Sequence, residues 1–178
     1  MASAFPSSLL HRLAARDRAL FLRWTIDAAS ATRSRRAWTA LTHAGGATST
    51  IVASTVPLTL HGAIRDAARL ALAALVLSHL IVQLIKRTVG RPRPSRGASC
   101  AALVAEPDKF SFPSGHAAAA MAVAFGYAVV FPHVAVPLFI LAALVGGSRV
   151  CLGVHYPGDV MAGQAIAIAT GLALVAVQ

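Results

Sequence analysis

The chain has 178 residues with 16 Lys and Arg against 6 Asp and Glu, a formal charge of +10, yet it is 57% hydrophobic and only 12% charged. Soluble domains carry about a quarter charged residues and disordered chains are poor in apolar ones, so the composition excludes disorder and argues against a soluble nucleic-acid binder. What remains is a single membrane-embedded unit with basic ends or loops, whose two cysteines, Cys100 and Cys151, are too few for a disulfide framework.

Residues 1–36 form a basic, amphipathic segment. On a helical wheel Leu9, Leu10, Leu13, Leu20, Phe21 and Trp24 share one side, Arg12, Arg16, Arg18 and Arg23 fall elsewhere, and Asp17 intrudes on the apolar side. The apolar run is too short and too interrupted by arginine for a cleavable signal, so the pattern predicts a helix lying in the membrane interface, with a frayed basic tail as the alternative.

Residues 37–178 form the membrane-embedded domain. Stretches free of Asp, Glu, Lys and Arg cover 37–64, 70–85, 110–148 and 160–178. A spanning helix needs roughly 20 apolar residues, and the longest stretch divides at Phe131-Pro132-His133. The expectation is an all-α integral membrane bundle of about five spans, near 38–60, 67–86, 114–131, 134–150 and 159–177. The first is unusually polar, with Thr39, Thr42, His43, Thr48, Ser49 and Thr50, and such a face points into a bundle.

Three loop segments carry chemistry. The first, Lys86-Arg87-Thr88-Val89-Gly90-Arg91-Pro92-Arg93-Pro94, reads by itself as an ordinary basic anchor at a helix end. The second, Phe112-Pro113-Ser114-Gly115-His116, opens a span. There Ser114 is a natural N-cap, Gly115 permits close approach to the backbone, and the unpaired N–H groups with the helix dipole favour an anion. His116 stands where it could exchange a proton with that anion. The alternative is a simple capped helix with an incidental histidine. The third runs from Ser148-Arg149 to His155-Tyr156-Pro157-Gly158-Asp159. A helical turn puts His155 and Asp159 on one face, where the carboxylate fixes one imidazole nitrogen and leaves the other as a nucleophile. Arg149 offers a planar fork of donors to an anionic substrate; the alternative is an interfacial His–Asp pair without chemistry.

With five spans all three segments fall at one membrane face. His116, His155 and Asp159 are also plausible zinc ligands, but Lys86, Arg93 and Arg149 would repel a divalent metal and complement a phosphate. The expectation is an anion site without metal or cofactor.

These residues resemble the type 2 phosphatidic acid phosphatase superfamily, which also includes vanadium haloperoxidases. Its signature, K-x6-R-P, P-S-G-H and S-R-x5-H-x3-D, is met by Lys86…Arg93-Pro94, Pro113-Ser114-Gly115-His116 and Ser148-Arg149…His155…Asp159. The resemblance implies His155 as the nucleophile that becomes a phosphohistidine, Asp159 as its orienting partner, and His116 as the acid for the leaving oxygen and later the base for water. It implies Lys86, Arg93, Ser114, Gly115 and Arg149 as holders of the phosphoryl oxygens. Arg87, Arg91 and Arg96 stand outside the signature and are expected only to attract anionic headgroups. Many membrane members have six spans, whereas five are counted here with an interfacial helix in place of the first.

The reading is a membrane lipid-phosphate phosphatase acting on phosphatidic acid, phosphatidylglycerol phosphate or a polyprenyl diphosphate. Its partners are membrane lipids, not nucleic acid. The rival is a non-catalytic phospholipid-binding protein using the same anion site. In the five-span arrangement the face bearing the motifs holds 14 of the 16 basic residues, or 11 against 2 once Lys86, Arg93 and Arg149 are set aside as phosphate ligands. The positive-inside bias therefore predicts a multi-pass protein of the inner or plasma membrane with its site toward the cytoplasm.

Overall fold

The computed structural model describes residues 7–177 apart from 27–28, 31 and 98–100. The described residues form helices α1 (Ser7–Trp24), α2 (Thr32–Ala44), α3 (Ala47–Thr55), α4 (Ala63–Val89), α5 (Pro94–Gly97), α6 (Gly115–Val130), α7 (Ala135–Cys151) and α8 (Pro157–Ala176). Short 3-10 turns follow α3 (Val56–Thr59) and precede α7 (Pro132–Val134). Three helices are long and apolar enough to cross a membrane, Ala63–Val89, Pro132–Cys151 and Pro157–Ala176, while Gly115–Val130 is apolar but shorter. At 16 residues α6 is about 24 Å long.

Helix α6 is the centre of the bundle, packed against α3, α4, α7 and α8. Its buried face is built from Ala117, Ala118, Ala122, Ala124, Gly126 and Ala128. Apolar side chains gain little by leaving lipid for one another, so membrane helices associate through close van der Waals contact between small residues. Gly126 shows how close: a Cβ there would collide with the backbone of Ala71 in α4. Gly163 of α8 likewise lies against the carbonyl of Ser114, which docks α8 onto the first turn of α6.

Helix α4 ends at Gly90, whose φ of +62° belongs to the left-handed region that glycine adopts without strain. Pro92 and Pro94 then prevent the helix from resuming. Helix α8 begins on a capping box in which the Asp159 carboxylate accepts the Tyr156 N–H, with Pro157 at the first helical position.

The stretch expected as one span over 38–60 is not one helix. It breaks at Gly45-Gly46, between α2 and α3. A Cβ on Gly45 would collide with Val145 Cγ1 and crowd the His116 carbonyl, so only glycine lets the chain pass this close to the start of α6. Of the polar residues expected to face the bundle, Thr42 and Thr50 do so, while His43, Thr48 and Ser49 are exposed. Thr42 is buried against α7, and the Thr50 and Ser54 hydroxyls bond the Gly46 and Thr50 carbonyls of their own helix.

Helix α1 meets the bundle mainly through Phe21, fully buried and edge-on to Tyr156, while Leu13, Leu20 and Trp24 stay exposed. Asp17, expected on the outward apolar side, points instead into the protein. Leu9, Leu10 and Cys100 lie outside the described side chains.

Candidate active site

The end of α4, the start of α6, the end of α7 and the start of α8 converge at one end of the bundle, as the topology argument requires. Backbone bonds tie them together: Ser114 N donates to Asp159 O at 2.9 Å, Ser111 N to Arg91 O at 2.8 Å, and His155 N to Arg149 O at 3.2 Å. Lys86, Arg93, Gly115, His116 and His155 line one cavity of about 170 Å³. Ser114, Arg149 and Asp159 are buried at the same end of the bundle.

His155 Nδ1 lies 3.6 Å from Asp159 Oδ2, and the two side chains are 2% and 0% exposed. At this distance Nδ1 makes no direct hydrogen bond among the described residues, but a neighbouring carboxylate favours the tautomer with the proton on Nδ1. Nε2 then keeps its lone pair, 3.2 Å from Arg93 Nη1. Complete burial, with the positive charges of Arg93 and Arg149, pushes the His155 pKa down to about 4 against the opposing pull of Asp159. At neutral pH the imidazole is therefore neutral, the form a nucleophile needs.

The cations around Nε2 fall into two groups. Lys86 and Arg93 already hold a carboxylate, Asp108. Lys86 Nζ donates to Asp108 Oδ2 at 2.6 Å, and Arg93 Nη2 donates to Oδ1 at 2.9 Å. Arg93 Nε also bonds the Asp108 carbonyl, and its Nη1 bonds the Val154 carbonyl. Burial favours the neutral acid at Asp108, but Lys86 and Arg93 outweigh it and hold this carboxyl below its usual range. Arg149 and Ser114 differ. Arg149 Nη1 donates to Thr42 Oγ1 at 2.6 Å, but its Nε and Nη2 are buried without a partner among the described residues, as is Ser114 Oγ. Ser114 occupies the N-cap position of α6 without making a side-chain cap bond, so its hydroxyl is available elsewhere. A Cβ built on Gly115 would meet nothing within 4 Å, which leaves the first turn of α6 open to an approaching group. His116 faces the helix break across the cavity: its Nε2 would lie 3.9 Å from a Cβ at Gly46.

Buried polar groups are costly without partners, and an anion bound here could satisfy the Arg149 and Ser114 donors that have none among the described residues. Among the described residues no group of three or more His, Cys, Asp and Glu side chains is gathered for a metal ion.

Sequence reasoning missed Asp108, Arg91, Asp17, Thr42 and Gly45. Arg91 is not a loose headgroup cation: its Nη1 donates to Asp159 Oδ1 at 2.7 Å and its Nη2 to Asp17 Oδ2 at 2.7 Å. One signal was available. The chain has only 6 acidic residues. Four of them, Asp17, Glu106, Asp108 and Asp159, are bonded at this end of the bundle, Glu106 through Ser95. In so basic a chain the rare acids mark the cations that need fixing.

Residues 67–178 match the family model of the PAP2 superfamily. The chain is 39% identical over 95 residues to a lipid A 1-phosphatase of Rhizobium johnstonii, a match covering 51% of this chain and 39% of that protein. It is 41% identical over 99 residues to a decaprenylphosphoryl-5-phosphoribose phosphatase of Mycobacterium tuberculosis, covering 53% and 52%. These matches therefore span about half or less of the curated relatives. In fold the chain resembles a transmembrane PAP2-type phosphatidylglycerolphosphate phosphatase of Bacillus subtilis, with TM-score 0.76 and 23% identity over 93% of this chain and 85% of the other. It also resembles LpxE of Aquifex aeolicus, with TM-score 0.75 and 25% identity over 88% and 92%.

Proposed function

The chain belongs to the PAP2 superfamily, and on that premise we propose that it is a metal-independent membrane lipid-phosphate phosphatase working through a phosphohistidine on His155. The observation that carries this reading is the buried His155, backed by Asp159, lining one cavity with Lys86, Arg93, Gly115 and His116, with further partnerless donors on Arg149 and Ser114 among the described residues.

In the proposed reaction His155 Nε2 attacks phosphorus in line with the leaving oxygen. A P–N bond forms as the P–O bond breaks, and the charge that develops at Nδ1–H is balanced by Asp159. Lys86, Arg93, Arg149, Ser114 Oγ and the Gly115 N–H hold the three equatorial oxygens, with phosphate taking over the cations that Asp108 otherwise holds. Phosphoryl transfer depends mainly on such positioning and charge stabilisation. His116, which must enter the step as the imidazolium that the bound anionic phosphate favours, donates its proton to the leaving oxygen, which departs as a lipid alcohol or, from a diphosphate, as a lipid monophosphate. His116 then takes a proton from water as that water attacks the phosphohistidine, releasing inorganic phosphate and neutral His155.

A lipidic substrate is favoured by an apolar groove of about 410 Å³ between α3, α6 and α7, lined by Ala120, Val123, Leu138 and Leu141. It adjoins the site near Gly45, where an added Cβ would reach both Ala120 and the His116 carbonyl. The relatives named above act on lipid A and on a decaprenyl phosphosugar, and the substrate class read here comprises phosphatidic acid, phosphatidylglycerol phosphate and polyprenyl diphosphates.

We read the bundle as five crossings: the broken α2–α3 element, α4, α6, α7 and α8, with α1 lying in the interface at the site end. Two bonds support a crossing by the broken element. Thr42 meets Arg149 at the site end, and Tyr127 Oη donates to the Ala53 carbonyl at 2.6 Å toward the other end. The excess of basic residues at the site end favours a cytoplasmic site. Labelling of Cys100 by an impermeant thiol reagent on intact cells, with Cys151→Ser, would overturn that orientation.

The reaction is tested by phosphate release from those three lipids by the purified protein in detergent, with and without a chelator. Release that survives the chelator and is blocked by vanadate is expected. Lipid binding without release would identify a phospholipid-binding protein instead, and activity restored only by added metal would overturn the metal-free reading.

A further inference from the structure

Asp159 has two carboxylate oxygens and both are committed. Oδ2 accepts the Tyr156 N–H at 2.9 Å and faces His155 Nδ1, while Oδ1 accepts Arg91 Nη1 at 2.7 Å. Arg91 is itself pinned. Its Nη2 donates to Asp17 Oδ2 at 2.7 Å, and its guanidinium lies 4.1 Å from the centroid of the Tyr156 ring. Asp17 reaches α8 a second time, since its Oδ1 accepts the Gly158 N–H at 2.7 Å in the first turn of that helix. A Cβ at Gly158 would stand 3.0 Å from the Asp17 carboxylate, which shows how closely that carboxylate lies against the first turn of α8. Phe21, one helical turn beyond Asp17, is fully buried and packs edge-on against Tyr156 at 5.2 Å.

These contacts form an alternating row of charge: Asp17, Arg91, Asp159 and the His155 ring. A guanidinium shared between two carboxylates makes short charge-assisted bonds to both, and its planar fork transmits direction as well as charge. Asp159 is 0% exposed. Without Arg91 its Oδ1 would be a buried anionic oxygen with no partner, and the carboxylate would be freer to turn or to take a proton.

We infer that α1 belongs to the catalytic apparatus, with Asp17 and Arg91 as positioning residues that lock the Asp159 carboxylate and so hold the proton on His155 Nδ1. The kinetic side of this inference rests on the phosphohistidine reading above. Its structural side does not.

The experiment uses the full chain in detergent, comparing wild type with Arg91→Met, Arg91→Lys, Asp17→Asn and the double variant Asp17→Asn/Arg91→Met. Asn at 17 can still accept the Gly158 N–H, so this variant removes the charge while keeping α1 tethered. Arg91→Met is expected to lower kcat by about tenfold or more with KM changed less than about threefold, the pattern of lost transition-state stabilisation. Arg91→Lys should recover part of that loss, and Asp17→Asn should lower kcat about threefold. Residues acting as one unit are non-additive, so the double variant should match Arg91→Met within about twofold rather than show the product of the two losses.

Removing Arg91 leaves Asp159 to pull more strongly on a His155 proton, while Arg93, Arg149, Lys86 and His116 still face the ring. The acid limb of kcat/KM should therefore move upward by about half a pH unit or more. A loss of correctly folded protein would scale the profile without moving that limb. Independently of turnover, the ring-nitrogen NMR signals of His155 should report a proton fixed on Nδ1 in wild type and a changed pattern in Arg91→Met. Wild-type kcat with an unmoved acid limb in Arg91→Met and Asp17→Asn overturns the inference. If wild type releases no phosphate, the proposed reaction falls. The brace is then judged on NMR alone, where identical His155 signals in wild type and Arg91→Met would sink it.

Discussion

The two halves of the anion cradle are built on opposite terms. On one side Lys86 and Arg93 share one carboxylate, Asp108, which holds both in place and offsets part of their charge. On the other, Arg149 and Ser114 keep buried donors with no partner among the described residues. Paired cations are held in place whether or not a ligand is present, and add stability to the fold. Bare donors cost stability and return it only when an anion arrives. In the proposed reaction the first half would supply pre-positioned charge, and the second the preference for a bound phosphate.

The largest expected effect falls on the residue between the halves. His155→Ala should abolish phosphate release from a protein that still folds, because cradle contacts alone do not replace a nucleophile. Retention of a tenth or more of wild-type release would show that the cradle does not serve His155. The same assay refines the role of His116: His116→Ala should lose more activity on a lipid phosphate than on an activated aryl phosphate, whose leaving group needs no proton. Equal losses would remove His116 as the acid.

The next test sets one half against the other. Arg149→Met and Arg93→Met should each lower kcat by about a hundredfold or more, as loss of an anion-stabilising donor does. Their stabilities should diverge. Arg93→Met strips Asp108 of a partner and should cost about 2 kcal/mol, whereas Arg149→Met gives up one bond to Thr42 but also removes two donor atoms with no partner among the described residues, and should change the melting temperature much less. Equal destabilisation would erase the distinction between the halves.

Asp108→Asn probes the paired half more gently. If phosphate takes the place of this carboxylate, removing its charge should tighten vanadate inhibition by about tenfold, roughly 1.4 kcal/mol, while lowering thermal stability. Unchanged or weakened inhibition would mean that Asp108 only orients the two cations.

The smallest effect is on pH dependence. The folded His155 pKa of about 4 lies below the ordinary 6.5, so burial of the neutral ring stabilises the fold fully above pH 6.5. The unfolded chain binds the extra proton first, so this contribution is lost as pH falls from 6.5 through about 4. His155→Gln should flatten the melting-temperature profile in that window. A profile unchanged from wild type would mean that the ring is not buried neutral.

The main helices were legible from the sequence because charge avoidance is a property of the chain itself. Stretches near 67–86, 114–131, 134–150 and 159–177 became α4, α6, α7 and α8, each within a few residues. The convergence of Lys86, Arg93, Ser114, Gly115, His116, Arg149, His155 and Asp159 was also legible, since the parity of crossings sends all three loops to one end. The helix break was not. Gly45-Gly46 looks like any glycine pair until Val145 and the His116 carbonyl close around it.

What the sequence determined by itself was the helical, membrane-embedded class of the chain and the end of the bundle at which its three motifs meet. Both follow from local composition and from the order of apolar segments. Only the tertiary structure decided which charges pair. Asp17 and Arg91 are joined by a bond across 74 residues of chain, Asp108 reaches back to Lys86, and Arg149 meets Thr42 on another helix. A one-dimensional reading assigns Asp17 to a lipid-facing stripe and Arg91 to a headgroup patch because each is alone there. Burial gives them partners: a charge taken out of water must find its opposite, and the packing of α1 against α8 decides where that opposite is.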